Sequence, residues 1–231
     1  MHANSSPIVT SQVHPHEDLA RRVARGLDTP WRKPVADHTQ EAFDYAEHWR
    51  KARGLPVIID AGCGVGLSTR RLAERFPDHS VIGIDRSADR LSRDLSREYG
   101  DFPDNALLVR ADLVDFWRLA LDAGWQPVRH YLLYPNPYPK AAQLKRRWQG
   151  HPVFPAIVAL GGQLELRSNW SVYAEEFALA LTQAAKVRPT LENFSPEGGY
   201  LTPFERKYAE SGQRLWRLTC ELPHRPALLP R

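Results

Sequence analysis

Three acidic residues and one glycine-rich turn have the types and the spacing to hold a small ligand with several polar groups. Asp60-Ala61-Gly62-Cys63-Gly64-Val65-Gly66 follows a β-branched run, Val57-Ile58-Ile59, and opens a stretch of helical periodicity. The glycines Gly62, Gly64 and Gly66 let the backbone turn tightly and approach a ligand that a Cβ would exclude. Asp60 stands before the first glycine, where a carboxylate can pair with an ammonium group. Asp85 closes the next apolar run at a separation where nucleotide folds use an acid to accept ribose hydroxyls. Asp112 lies just beyond the third run, placed to accept from an adenine amino group. Any one of these acids alone would read as a solvated loop residue. Three at consecutive strand ends converge on one nucleoside-like ligand. An ammonium partner at Asp60, and a motif that needs no pyrophosphate-cradling third glycine, favour S-adenosylmethionine over a dinucleotide. Cys63 is a small filler in the turn, with nothing beside it to activate a nucleophile.

A second cluster follows the fourth apolar run. Tyr134-Pro135-Asn136-Pro137-Tyr138-Pro139-Lys140 carries three prolines, which fix a stiff, non-helical loop where a substrate would meet a methyl group. No acidic residue stands between Asp122 and Glu165, yet Arg129, Lys140, Lys145, Arg146 and Arg147 all fall there. Such a run is either a solvated face or a site for a polyanion such as RNA. Its place after a strand end, where α/β folds put their ligands, keeps both readings open.

These groups need a scaffold, and the chain supplies one from Pro56 onward. Apolar runs at 57–59, 80–84, 106–109, 128–134 and 163–166 read as strands, and Arg214 to Leu222 alternates as a last one. Helical spacing recurs between them: Thr69, Leu72, Ala73 and Phe76; Ala88 to Tyr99; and Tyr173, Phe177, Leu181 and Ala184 within about Val172–Ala185. Alternating strand and helix imply a mostly parallel sheet wound on both faces, the α/β doubly wound, Rossmann-like class. Residues 1–53 read as an N-terminal extension, disordered to about residue 15, with short helices around Glu17–Arg25 and Gln40–Arg53. Residues 54–231 form the main domain. In the extension Trp31, Arg32 and Lys33 read as surface linker.

With 231 residues, 42% hydrophobic and 25% charged, the chain is long enough to bury a full core. No apolar run approaches the ~20 residues that cross a bilayer, and the polar first ten residues lack a signal-peptide core. Two cysteines give no disulfide framework, so the expected location is cytoplasmic. The net charge of +4 permits a polyanionic partner without requiring one. No metal is expected, and the chain is expected to be monomeric.

The sequence resembles the bacterial tRNA (guanine-N7)-methyltransferases. That family carries Phe-Pro-Asp-Pro-Trp-Pro-Lys at the proline loop and ends the following basic stretch in Lys-Arg-Arg, here Lys145-Arg146-Arg147. Its Gly-Gly-x-Leu-x-Leu-x-Thr-Asp-Trp-x-x-Tyr matches Gly161-Gly162-Gln163-Leu164-Glu165-Leu166-Arg167-Ser168-Asn169-Trp170 and Tyr173. Its Thr-x-Phe-Glu signature is intact as Thr202-Pro203-Phe204-Glu205. The resemblance runs from about Pro56 to Leu222. It implies a seven-stranded sheet of the class I S-adenosylmethionine-dependent methyltransferase type, acting on tRNA. It also implies that Asp60, Asp85, Asp112 and Asn136 line the cofactor site, with Asn136 in the catalytic position. Lys140, Asn169 and Thr202 to Glu205 would hold the target nucleotide, with Glu205 gripping the guanine edge. Lys145, Arg146 and Arg147 would meet RNA phosphates.

The departures bear on chemistry. Asn136 and Asn169 stand where the family has Asp, Tyr138 replaces its Trp, and Ala141-Ala142-Gln143-Leu144 replaces Lys, Arg and two His. An Asn amide can both accept and donate, the pairing it makes with adenine. Methylation of an exocyclic amine or of a non-RNA acceptor therefore stays open, as does a non-catalytic RNA-binding relative.

Overall fold

A computed structural model of the chain describes residues 5–29 and 31–224. Two helices come first, α1 (Leu19–Asp28) and α2 (Asp37–Arg53). Then follow β1 (Val57–Ala61), α3 (Leu67–Arg75), β2 (Ser80–Asp85), α4 (Ala88–Leu91), α5 (Ser96–Tyr99), β3 (Ala106–Arg110), α6 (Leu113–Asp122) and β4 (Arg129–Leu133). Two 3-10 turns at 141–150 lead to α7 (Phe154–Ala159), β5 (Gly162–Ser168), α8 (Ser171–Ala185), β6 (Thr190–Phe194), α9 (Pro203–Glu210) and β7 (Leu215–Leu222).

The strands form one seven-stranded sheet in the order β3-β2-β1-β4-β5-β7-β6. The first five pair in parallel, and β7 runs antiparallel to both β5 and β6. This is the expected doubly wound class. β1 and β2 are buried at every residue, which is why they read as unbroken apolar runs. Alternate side chains feed two cores. Val57, Ile59 and Ala61 join the larger one, under the helices that include α2, α6 and α8, while Ile58 packs with Leu72, Ala73, Tyr131, Leu133 and Leu201 on the other face.

Three expectations need correction. The helix expected over Ala88 to Tyr99 is two single turns, α4 and α5, because neither buries a residue that would sustain a longer helix. β6 was not among the strands read from the sequence; its exposed edge position removes the apolar signal. Expected disorder at residues 1–4 lies outside the described residues. Residues 5–16 are instead a strap without regular structure before the first helix, bonded to the main body. The Ser5 N–H donates to Ser211 Oγ, Thr10 Oγ1 donates to the Pro139 carbonyl, and Gln12 Nε2 donates to Glu176. No helix among the described residues is long and apolar enough to cross a membrane.

The N-terminal helices also share the main core. Leu19 and Val23 of α1 are buried, and α1 lies against α8. Phe43 of α2 packs its ring 5.3 Å from Phe116 and 5.4 Å from Trp125. Phe43→Ala should lower the unfolding free energy by about 3–5 kcal/mol in a single denaturant transition. An unchanged transition, or two separate ones, would mean that α2 folds apart from the sheet.

Candidate functional site

Parallel pairing puts the C-terminal ends of β1 to β5 on one edge, and adjacent strands there deliver the three acids. β6 runs in the direction of β5, so the chain from 195 to 214, with α9, leaves and re-enters at the same edge.

Asp60 ends up fully enclosed. Its Oδ2 accepts from Ser68 Oγ at 2.6 Å and Thr69 Oγ1 at 2.7 Å, the first hydroxyls of α3. Its Oδ1 is buried with no hydrogen-bond partner among the described residues. Burial pushes the carboxyl up to about 6, against the two hydroxyl bonds, and the neighbouring Asp85 charge adds to the rise. A buried acceptor left open is costly unless a ligand satisfies it. An arriving ammonium group would do so.

Asp85 is already partly engaged. Its Oδ2 accepts from the Gly64 N–H at 3.0 Å and its Oδ1 from the Ser87 N–H at 2.9 Å, so it pins the glycine turn to the end of β2. Each carboxylate oxygen has further lone-pair capacity for ribose hydroxyls. Gly64 sits at φ 61° with open space where a Cβ would point, the cradle a ligand needs. Gly66 serves packing instead: a Cβ there would lie 2.8 Å from Leu108 Cδ1. Gly62 is exposed in the same turn. Asp112 is half-buried and caps α6 by accepting from the Val114 N–H at 2.8 Å. Its own N–H donates to Thr39 of α2. Orphaned acid, open turn and half-exposed third acid fit a nucleoside with an ammonium tail. Among the described residues, no three His, Cys, Asp or Glu side chains gather as a metal site.

The proline loop leaves β4 beside this turn. Tyr134 and Tyr138 both lie in the left-handed region, at φ 53° and 44°, conformations that bulky residues adopt only when neighbours hold them. Between them Asn136 is exposed, its Oδ1 accepting from the Tyr138 N–H at 3.3 Å. Lys140, Lys145 and Arg146 are exposed as well, and Arg146 lies over the Tyr138 ring. Asn169, past β5, is half-buried and donates to Gln213 at 2.9 Å.

Three of the expected contacts turn inward. Glu205 is fully buried: its Oε2 accepts from Tyr134 OH at 2.9 Å and Arg167 Nη1 at 2.8 Å, its Oε1 from the Leu201 N–H at 2.9 Å. A carboxylate committed in this way does not reach a guanine edge; it fixes Tyr134. Burial, then the Glu205 charge, raise the Tyr134 hydroxyl far above its ordinary pKa, so it stays a donor. Thr202 is buried and caps α9 through the Glu205 N–H. Arg147 is likewise fully buried, its Nη1 donating to both Glu176 oxygens at 2.7 and 2.8 Å, and so has no surface from which to meet a phosphate. Sequence reasoning does not single out Ser68, Thr69, Arg167 or Glu176 as site residues. The two hydroxyls just after the glycine turn were a readable signal, whereas the long-range partners left none.

The family described as "Putative methyltransferase" matches residues 55–218. A curated protein from Neisseria gonorrhoeae named tRNA (guanine-N(7)-)-methyltransferase is 24% identical over 94% of this chain and 92% of its own length. One of the same name from Leifsonia xyli is 29% identical over 75% and 78%. Among solved structures, the 16S rRNA methyltransferase KamB superposes with a TM-score of 0.57 at 17% identity, over 83% of this chain and 96% of that one. The antibiotic-resistance methyltransferase Kmr gives 0.51 at 24%, over 78% and 92%. The structural likenesses show the fold.

Asp60 makes the free protein sensitive to pH. Its carboxyl keeps its proton to about pH 6 when folded but only to about 3.8 when unfolded. The folded state then holds more protons within that window, and stability falls as pH rises through it. Asp60→Asn should flatten that slope in denaturant titrations and abolish calorimetric binding of S-adenosylmethionine. Binding to the unaltered protein near pH 6 should release protons, seen as a buffer-dependent heat. Retained affinity in the Asn variant would remove Asp60 from the site.

Proposed function

The chain belongs to the methyltransferase family matched over residues 55–218, and from that membership we propose that it methylates N7 of a guanine in tRNA, with S-adenosylmethionine as donor. The observation that carries this reading is a juxtaposition. The orphaned Asp60 oxygen and the open Gly64 turn share a sheet edge with the stiff Asn136 loop and the exposed Lys140, Lys145 and Arg146. The name borne by the curated relatives supplies the acceptor.

S-adenosylmethionine, when bound, supplies an electrophilic methyl group on a cationic sulfur. Asp60 would hold its ammonium, Asp85 its ribose hydroxyls and Asp112 its adenine amine, with Gly62 and Gly64 keeping the backbone low beneath it and Gly66 packing the turn on Leu108. Guanine N7 has an in-plane lone pair and no proton to lose, so the protein needs no general base. Its residues have to align that lone pair at near-attack distance and keep water out. Asn136 and Asn169 orient the base and accept from it. Methylation leaves the guanine cationic, and a carboxylate beside it would favour the transition state. These amides offer an acceptor without the charge. Lys140, Lys145 and Arg146 add salt-dependent, sequence-blind affinity for RNA. A cytoplasmic location suits free thiols at Cys63 and Cys220 and an RNA substrate.

Labelled S-adenosylmethionine and bulk tRNA lacking 7-methylguanosine test the reading, with nucleosides identified by mass spectrometry. The expected product is 7-methylguanosine. Label in another nucleoside overturns N7 specificity, and unlabelled RNA with intact cofactor binding removes tRNA as acceptor. In the same assay Asn136→Asp should match or exceed the unaltered protein, by up to about tenfold, because a charge-assisted bond is about twice as strong as a neutral one. A large drop would mean that the loop serves a different acceptor.

A further inference from the structure

Arg147 ends the basic stretch, yet every polar contact it makes is internal. Its Nη1 donates to both oxygens of Glu176 on α8. Its Nε and Nη2 donate to the Tyr138 carbonyl at 3.2 and 3.1 Å, and Nη2 reaches Gln12 Oε1 at 2.7 Å and the Lys140 carbonyl at 3.5 Å. The guanidinium lies 4.8 Å from the Trp170 ring centroid. Glu176 is equally enclosed and also accepts from Gln12 Nε2, Gln149 Nε2 and the His16 N–H.

The contacts to the loop are consecutive. The Tyr138 and Lys140 carbonyls are held by Arg147, and the Pro139 carbonyl between them by Thr10 of the strap at 2.7 Å. Tyr138 is also the residue with φ 44°. The backbone is thus gripped from inside where its conformation is least favourable, while the Asn136 and Lys140 side chains stay exposed. A buried ion pair is poor evidence for stability, since apolar residues of similar volume often do as well. Its geometric effect is specific: a planar fork can span Glu176 and a carbonyl at once.

We propose that Arg147, anchored by Glu176, is a positioning residue that fixes the Tyr138–Lys140 backbone so that Asn136 and Lys140 are presented to the methyl acceptor, and that it makes no phosphate contact. The proposal rests on the methyl-transfer reading. Arg147→Lys keeps the charge beside Glu176 but removes the fork. Turnover on tRNA should fall about 10- to 100-fold, the scale of a misplacement of about 1 Å. RNA affinity, its salt dependence and S-adenosylmethionine affinity should stay near those of the unaltered protein. A phosphate contact predicts the reverse, weaker RNA binding with a salt slope lower by about 1 and turnover retained.

Hydrogen exchange gives a second readout that does not depend on turnover. The Tyr138 and Gln143 amides should lose protection in the lysine variant while those of α8 and the sheet keep theirs. Unchanged turnover in the folded variant, a reduced salt slope, or a loss of protection throughout the chain would overturn the proposal. Unaltered protein that leaves RNA unlabelled counts against the methyl-transfer reading, and the exchange comparison then decides the clamp by itself.

Discussion

The structure is referenced to β1, held between β2 and β4 by parallel hydrogen bonding and buried at all five residues. A central strand with side chains packed on both faces cannot shift register without moving its whole apolar set. The position of Asp60, the first group beyond Ile59, is therefore set by the core. The same constraint fixes Asp85 through the pairing of β2 with β1, and Tyr134 through its N–H to the Arg167 carbonyl at the end of β5. The site is the place where five rigid strands stop.

Carboxylates at this edge divide by how much of their hydrogen-bonding capacity the protein itself uses. Glu205 and Glu176 have both oxygens engaged by buried donors, an arginine among them. Asp60 has one oxygen committed and the other open, and among the described residues no cation is paired to it. An unsatisfied buried acceptor costs on the order of 1–3 kcal/mol, more when charged. The raised Asp60 pKa expresses the same cost. The two saturated acids stiffen the loop and α9; the unsaturated one has chemistry left to offer a ligand. Completeness of partnering separates Asp60 from Glu176 and Glu205 where burial does not, since all three are buried.

This also explains what could be read from the sequence. Buried parallel strands declare themselves as apolar runs, so β1 to β5 are visible in the sequence, and the acids at their ends can be placed on one edge from it. β6, with Thr190 and Glu192 exposed on an edge, carries no such signal. Arg147 and Glu205 sit in motifs whose neighbours are polar or exposed, and charged residues there suggest surface. Their burial depends on Glu176 and Arg167, which lie 29 and 38 residues away along the chain, and no local pattern reports such a pairing. The family resemblance matches segments of sequence and does not say which of their charges face outward.

The inward turn of Glu205 changes how the two amides should be weighed. Had that carboxylate faced the base, it could have supplied the negative charge that Asn136 and Asn169 lack. Committed to Tyr134, Arg167 and Leu201, it leaves the exposed loop without a carboxylate from any of these three positions. Transition-state stabilisation by charge is then reduced, and alignment has to supply a larger share of the rate. A chain in that position gains more from a rigid loop than one with a charged loop would. Three consecutive carbonyls held from below, and Tyr134 fixed through its hydroxyl, are the features such a dependence on geometry requires.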